Sequence, residues 1–79
     1  MNQVTNNYGV PTIDFDIDIL TKREKEIVER SLLPDRTIAW ELDISYYTVL
    51  SHLKSIRKKT GLQDGRQLVY FGMKTGLIN

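Results

Sequence analysis

One stretch in the second half of the chain decides the fold: Ile44-Ser45-Tyr46-Tyr47-Thr48-Val49-Leu50-Ser51-His52-Leu53-Lys54-Ser55-Ile56-Arg57-Lys58-Lys59-Thr60-Gly61. Ser45 is a favourable N-cap, because its hydroxyl can accept a hydrogen bond from a free amide group of the first helical turn. Gly61 suits the left-handed backbone conformation that commonly ends a helix. The stretch therefore predicts one capped helix over residues 45–60.

This helix has two faces of different character. Val49, Leu53 and Ile56 recur at helical spacing and form the predicted buried stripe. A second face becomes basic towards the end of the helix, and it comprises Tyr47, Leu50, Ser51, Lys54 and Lys58. Such a face suits a nucleic-acid groove, although a solvated basic face is the ordinary alternative.

The net charge of +1 hides an asymmetry along the chain. Residues 1–20 carry three aspartates and no basic residue, a charge of −3, and residues 21–43 carry five basic and six acidic residues, a charge of −1. Residues 44–79 carry six basic residues against one acidic residue, a charge of +5. The positive charge is therefore concentrated around helix 45–60, as in nucleic-acid-binding proteins.

Length and composition exclude several classes of protein. The 79 residues make one small domain, which buries only about 60% of the surface of its unfolded chain. With no cysteine and a single histidine, the chain offers no disulfide, thiolate zinc site or imidazole cluster. No apolar run approaches the roughly 20 residues of a membrane helix, and no signal-peptide pattern opens the chain. We expect a cytoplasmic protein without cofactor or enzyme activity.

Two shorter helices are predicted before residue 45. Thr21-Lys22-Arg23-Glu24 has the pattern of a capping box, with Leu20 as a hydrophobic staple before it. The first helix is expected over residues 22–32, ending before Pro34, with its inward side formed by Ile27, Val28, Ser31 and Leu32. The second is expected over residues 35–42, with an apolar stripe of Ile38, Ala39 and Leu42 and with Trp40 as a partial core residue. A short helix, a tight turn and a longer basic helix follow the helix-turn-helix order.

A fourth helix is predicted over residues 65–75, with Asp64 as its N-cap and Gly76 at its end. Leu77 and Ile78 are expected to fold back onto the core or onto a partner. The apolar residues of this helix cover more of its circumference than one small core needs. Core packing explains most of these residues. The excess also predicts a dimer contact on this helix, with these candidate residues: Leu68, Val69, Tyr70, Phe71 and Met73.

The first 19 residues are predicted to form an acidic arm outside the helical domain of residues 20–79. Residues 1–12 are rich in Asn, Gln, Thr, Gly and Pro and are expected to be mobile. The alternation of apolar and acidic residues over 13–19 predicts an extended segment. This segment would pack onto the helices or pair as a strand with a second copy or another protein. Its aspartate spacing lacks the Gly and Glu of a calcium loop, so no metal site is expected.

Four separated motifs resemble the LuxR-type, or GerE-type, helix-turn-helix domain. They are Leu20-Thr21-x-Arg23-Glu24-x-Glu26-Ile27-Val28, Ile38-Ala39, Ile44-Ser45-x-x-Thr48-Val49-x-x-His52 and Ile56-x-x-Lys59-x-Gly61. The resemblance covers about residues 20–78 and implies an all-α, four-helix domain. It also implies a third helix in the major groove, dimerisation through the fourth helix and transcriptional control in bacteria. The chain departs from the family between Ile27 and Ile38, where it is about two residues shorter, and at Leu50, where relatives often have lysine.

These considerations assign roles on the predicted DNA face. The base-reading candidates are Leu50, Ser51, Lys54 and Tyr47. Lys54 could donate to guanine O6 or N7, or instead to a phosphate, whereas Leu50 suits a thymine methyl group. The phosphate-binding candidates are Thr48, Arg57 and Lys58.

Two hypotheses of function follow from these assignments. The first is a transcriptional regulator that binds double-stranded DNA as a homodimer. The alternative is a protein-interaction module that uses the fourth helix or the N-terminal arm to pair with another regulator and does not itself bind DNA. Leu50 on the reading face and the altered approach to the second helix favour this alternative.

Overall fold

A computed structural model describes residues 17–79 of the chain. After a short 3-10 helix over Ile17–Ile19, this part of the chain forms four α-helices: α1 (Lys22–Glu29), α2 (Asp35–Leu42), α3 (Tyr46–Thr60) and α4 (Gly65–Thr75). The all-α, four-helix prediction is confirmed over this range.

The apolar and acidic alternation before α1 does not produce an extended segment where the structure describes it. The amide of Leu20 donates to the carbonyl of Ile17 at 3.0 Å, which closes a helical turn over Ile17–Ile19. Leu20 is itself buried, so the chain turns here to carry this side chain into the core. The extended prediction is therefore wrong for residues 17–19, and its remainder, over residues 13–16, lies outside the described residues.

Three helices begin at side-chain caps that satisfy free amides of their first turns. At α1 the capping box is complete: the amide of Glu24 donates to Thr21 Oγ1 at 3.1 Å, and the amide of Thr21 donates to Glu24 Oε1 at 2.8 Å. Ser45 caps α3 and Asp64 caps α4 in the predicted way. The predicted beginnings of α1, α2 and α4 are confirmed, and α3 begins directly after its cap.

The end of α1 differs from the prediction, because the helix stops at Glu29 rather than near residue 32. The next amides bond three residues back instead of four, as in the 2.8 Å bond from Leu33 to the carbonyl of Arg30. This tighter winding before Pro34 changes the direction of the side chains. Leu32 is consequently 64% exposed, and its predicted inward orientation is wrong.

The core combines apolar side chains from all four helices. Its fully buried members include Ile27, Val28, Ile38, Val49 and Ile56. None of the helices between residues 17 and 79 combines the length and apolar character needed to cross a membrane.

Trp40 was predicted as a partial core residue, but the structure leaves it 83% exposed. Ile38 and Ala39 are the buried residues of α2. Position 40 is rotated by about 100° from Ala39, which turns it away from the core. The core prediction for Trp40 is therefore wrong.

The last residues fold back onto the core rather than away from it. The amide of Ile78 donates to the carbonyl of Gly72 at 2.9 Å, and the Ile78 side chain is buried. This close approach is possible because residue 72 has no side chain: a Cβ there would lie 2.5 Å from Ile78 Cδ1 and 3.2 Å from Val28 Cγ1. Gly72 therefore allows the C-terminus to complete the core beside α1.

Candidate nucleic-acid interface

Helices α2 and α3 are joined by a tight turn. Asp43 adopts the left-handed conformation, with φ 55° and ψ 47°, and ends α2. The amide of Ile44 then donates to the carbonyl of Ala39 at 3.0 Å, and Ser45 caps the next helix. This arrangement is a helix-turn-helix, with α3 as the second and longer helix.

The inner side of α3 anchors it in the domain. The predicted buried stripe of Val49, Leu53 and Ile56 is confirmed, and Thr60 continues it by one turn. The hydroxyl of Thr60 donates to the carbonyl of Ile56 at 2.8 Å, which satisfies this buried polar group within the helix. The rest of the α3 surface is therefore held in a fixed orientation.

The residues predicted to contact bases lie together on the outer side of α3. Tyr47, Ser51, Lys54 and Lys58 are all exposed, and the exposed fraction of Tyr47 is 76%. At about 100° per residue, these four positions lie on one stripe roughly opposite the buried stripe. We call these four residues the outer stripe. Leu50 is exposed beside it.

The positive charges of the outer side are not neutralised by neighbouring residues. Helix α3 contains no acidic residue, and Lys54, Arg57 and Lys58 form no ion pair with any residue in the described part of the chain. Exposed cations clustered on one helix attract a polyanion. Arg57 comes seven residues after Leu50, so the two side chains lie on the same edge of the outer stripe.

Thr48 lies at the beginning of α3 and its hydroxyl is already engaged. Its amide donates to Ser45 Oγ at 3.0 Å, and the two hydroxyl oxygens are 2.8 Å apart. This pair stands at the helix N-terminus, where the backbone dipole favours an anion. The predicted phosphate-binding residue is therefore part of the cap of the helix.

An ion pair with a buried carboxylate holds the other end of α3. Lys59 Nζ lies 2.7 Å from Oε1 of Glu24, which is 3% exposed in the first turn of α1. Burial alone would raise the pKa of Glu24, but hydrogen bonds from Lys59, the Thr21 amide and Ser55, together with the Lys59 charge, lower it to about 2. Lys59 is thus already paired within the domain, although its side chain is one third exposed. The sequence did not predict this pair, although the capping box predicted the position of Glu24 in the first turn of α1.

A second contact that the sequence did not predict lies at the beginning of α3. The guanidinium carbon of Arg36, on α2, stands 4.4 Å from the ring centroid of Tyr46. The rings of Tyr46 and Tyr47 meet edge to face, with centroids 5.6 Å apart and planes at 67°. Helical periodicity could not indicate the Arg36 contact, because the residues belong to different helices.

The five residues of the predicted dimer contact on α4 differ in burial. Leu68 and Phe71 are 3% and 2% exposed, because they pack in the core of their own chain. Val69 and Tyr70 are half-buried, and Met73 is 53% exposed. Of these five residues, Val69, Tyr70 and Met73 keep accessible surface in the single chain, and dimerisation through α4 stays a prediction.

Comparison with known proteins agrees with this geometry. The model of a family described as bacterial regulatory proteins, luxR family, matches residues 18–71. The matched range contains α1, α2, α3 and more than half of α4. No curated protein matches the chain.

Proposed function

The chain belongs to the luxR family of bacterial regulatory proteins, whose helix-turn-helix makes it a DNA-binding transcription regulator, and we propose that it places α3 in the major groove of duplex DNA as a homodimer. The outer stripe is the observation that carries this proposal. Its polar and basic side chains are exposed, and the opposite side of α3 is buried in the core. We expect the protein to act in the cytoplasm, where bacterial DNA lies.

Within the groove, the stretch of α3 from Tyr47 to Lys54 supplies the contacts to bases. Ser51 can donate or accept a hydrogen bond, and Lys54 can donate to guanine O6 or N7. Leu50 offers an apolar surface to a thymine methyl group, and Tyr47 offers a ring edge and a hydroxyl. These residues are the proposed base readers.

The proposed phosphate contacts flank the base readers. Arg57 and Lys58 follow one turn after Lys54 and have no ion pair with described residues, so they are available to phosphate oxygens. Thr48 stands at the opposite end, at the positive end of the helix dipole. Contacts of this kind fix the register of α3 without selecting sequence.

Helix α4 is the proposed dimer surface. Met73 exposes an apolar side chain there, and Val69 and Tyr70 are half-buried in the single chain. A second copy would bury these side chains across a two-fold axis. The two α3 helices would then reach half-sites spaced by about one helical turn of DNA.

The exposed apolar residues outside α3 favour the second candidate function, a module that pairs with another regulator. Leu32 and Trp40 present large apolar side chains to solvent. Such exposure is a feature of protein interaction sites. Leu32 and Trp40 lie outside the fourth helix and the N-terminal arm, so they extend the contact regions proposed for such a partner.

Salt dependence of duplex binding tests the DNA proposal. For each phosphate contact, the logarithm of the binding constant should fall by about 0.9 per logarithmic unit of salt. Arg57→Ala with Lys58→Ala should therefore flatten the slope by about 0.9 for each phosphate that is no longer neutralised, and weaken binding about tenfold at moderate salt. Lys22→Ala with Arg66→Ala removes two exposed cations away from α3 and serves as the matched control.

The outcomes separate the two candidate functions. Equal slopes for wild type, the α3 variant and the control would exclude a phosphate role for Arg57 and Lys58. Isolation of a tight heteromeric complex, together with no detectable duplex binding by the wild-type chain, would replace the DNA proposal with the interaction module.

A further inference from the structure

Three residues form a continuous contact between α2 and the beginning of α3. Arg36 covers one face of the Tyr46 ring, and the Tyr46 ring meets the Tyr47 ring edge to face. Tyr46 is half-buried between its two neighbours, whereas Tyr47 is exposed at the beginning of the outer stripe. We call Arg36, Tyr46 and Tyr47 the arginine–tyrosine cluster.

The arginine–tyrosine cluster lies at the beginning of α3, the part of a recognition helix that affects the choice of sequence. The N-terminal residues of a recognition helix are the ones that reach base edges. In α3 the basic residues begin only at Lys54, so the first half of the helix relies on hydroxyl, aromatic and aliphatic groups. The direction of the exposed Tyr47 ring therefore matters for contact with a base, because α3 has no lysine or arginine before Lys54.

The contacts also explain how an exposed ring can keep one direction. An isolated tyrosine side chain on a helix surface would exchange between rotamers and lose entropy on binding. The edge-to-face contact restrains Tyr47, and the guanidinium of Arg36 restrains Tyr46 from the other side. Arg36 thus acts on Tyr47 without touching it.

We propose that Arg36 is a positioning residue for sequence selection, which acts through Tyr46 to hold the Tyr47 ring against one base pair of the half-site. The favoured partner is the methyl-bearing edge of a thymine, which an aromatic ring contacts without needing a hydrogen bond. This inference rests on the proposed DNA-binding function. It assigns to α2 a role in choosing sequence, beyond any contact it makes to phosphate.

The test compares two duplexes that differ only at the base pair whose preference is lost in Tyr47→Ala. Binding of each duplex is measured at several salt concentrations for wild type, Arg36→Ala, Arg36→Lys, Tyr46→Phe and Tyr46→Leu. Arg66→Ala, an exposed arginine of α4, is the matched control for loss of one charge. Thermal unfolding of each variant confirms that the fold is retained.

Arg36→Ala and Tyr46→Leu should lower the preference between the two duplexes by about two- to fivefold. Tyr46→Phe should retain the preference, since it keeps the ring. Arg36→Lys should keep the salt slope but lose part of the preference, because an ammonium group lacks the planar guanidinium. In the Tyr47→Ala background, Arg36→Ala should cause no further loss of preference.

Other results would overturn the inference. If Arg36→Ala weakens both duplexes equally and flattens the salt slope by about 0.9, Arg36 is a phosphate contact and not a positioning residue. If its preference matches that of Arg66→Ala and wild type, the cluster has no role in recognition. Failure of the wild-type chain to bind any duplex would reject both this inference and the proposed function, whereas binding with an unchanged preference would reject the inference alone.

Discussion

The ammonium nitrogen of Lys59 lies 2.7 Å from Oε1 of Glu24, and this contact joins the last turn of α3 to the first turn of α1. The same carboxylate oxygen accepts the amide of Thr21 at 2.8 Å, so the capping box of α1 and the orientation of α3 depend on one buried group. The helix proposed to enter DNA is therefore held by an ion pair as well as by apolar packing.

Loss of the lysine should destabilise the fold. Lys59→Met leaves the Glu24 carboxylate buried without its cationic partner, and we expect the free energy of unfolding to fall by about 2 kcal/mol, since solvent partly reaches the lysine. Urea denaturation measures this change. Lys58→Met is the matched control, because the Lys58 side chain is exposed and its replacement should change stability by less than about 0.5 kcal/mol. Equal effects of the two variants would contradict a structural role for the pair.

The same carboxyl group should make stability depend on pH at the acidic end. The pKa of Glu24 falls from 4.5 to about 2 on folding, so between these values the unfolded chain binds more protons than the folded chain. The resulting stabilisation, about 3 kcal/mol, is complete above about pH 5 and is lost as the pH falls towards 2.

A comparison with Glu24→Gln isolates this effect, because the other acidic residues are common to both proteins. The difference in unfolding free energy between wild type and variant should rise from pH 2 to about pH 5 and then stay constant up to pH 7. A difference that does not change with pH would show that Glu24 is not ionised with a lowered pKa in the folded state.

Gly72→Ala should weaken the attachment of the C-terminus. The added Cβ would approach Ile78 Cδ1 to 2.5 Å and Val28 Cγ1 to 3.2 Å, and we expect a loss of about 1 to 3 kcal/mol in thermal or urea unfolding. Gly65→Ala, in open space at the beginning of α4, should be neutral or slightly stabilising. If Ile78 causes the clash, the cost of Gly72→Ala should be much smaller in an Ile78→Ala background.

Two serines of the helix-turn-helix should separate stability from recognition. Ser45→Ala removes the N-cap of α3 and should cost about 1 kcal/mol of stability. Ser51→Ala changes an exposed residue of the outer stripe, so stability should change by less than about 0.5 kcal/mol while affinity for the selected duplex falls. Calorimetric unfolding and fluorescence anisotropy of labelled DNA give the two readings. A stability loss at Ser51 equal to that at Ser45 would argue against this division.

The proposed dimer can be tested at the exposed residue of α4. Met73→Glu places a charge in the proposed interface but not in the core, so sedimentation equilibrium should show a monomer whose helical content is unchanged. Leu32→Glu makes the same kind of change on the α1–α2 connection and should leave the association state as in wild type. Unchanged dimerisation of Met73→Glu would move the interface away from this part of α4.

Local features of the fold were predictable from the sequence because they depend on neighbouring residues. Ser45 and Gly61 determine the limits of α3, and the spacing of Val49, Leu53 and Ile56 determines its buried side. Caps and helical periodicity act within one segment, so they can be read without knowing how the helices cross.

The features that were missed depend on contacts between segments or on local winding. The pairing of Lys59 with Glu24 spans 35 residues, and the contact of Arg36 with Tyr46 joins two helices. Leu32 is exposed and not inward-facing, because the amides after α1 bond three residues back instead of four. For the site, spacing was sufficient to predict which residues share the outer stripe, but not which cation of α3 is already paired with a buried carboxylate.

Sequence recognition by α3 is decided by selecting bound duplexes from a random pool and determining the stoichiometry of the complex by sedimentation. We expect enrichment of a two-fold symmetric sequence with half-sites spaced by about 10 base pairs and two chains bound to each duplex. Lys54→Ala should change the enriched base pairs, whereas Lys22→Ala should not. A pool that remains random after repeated selection by the wild-type chain would contradict sequence recognition by α3.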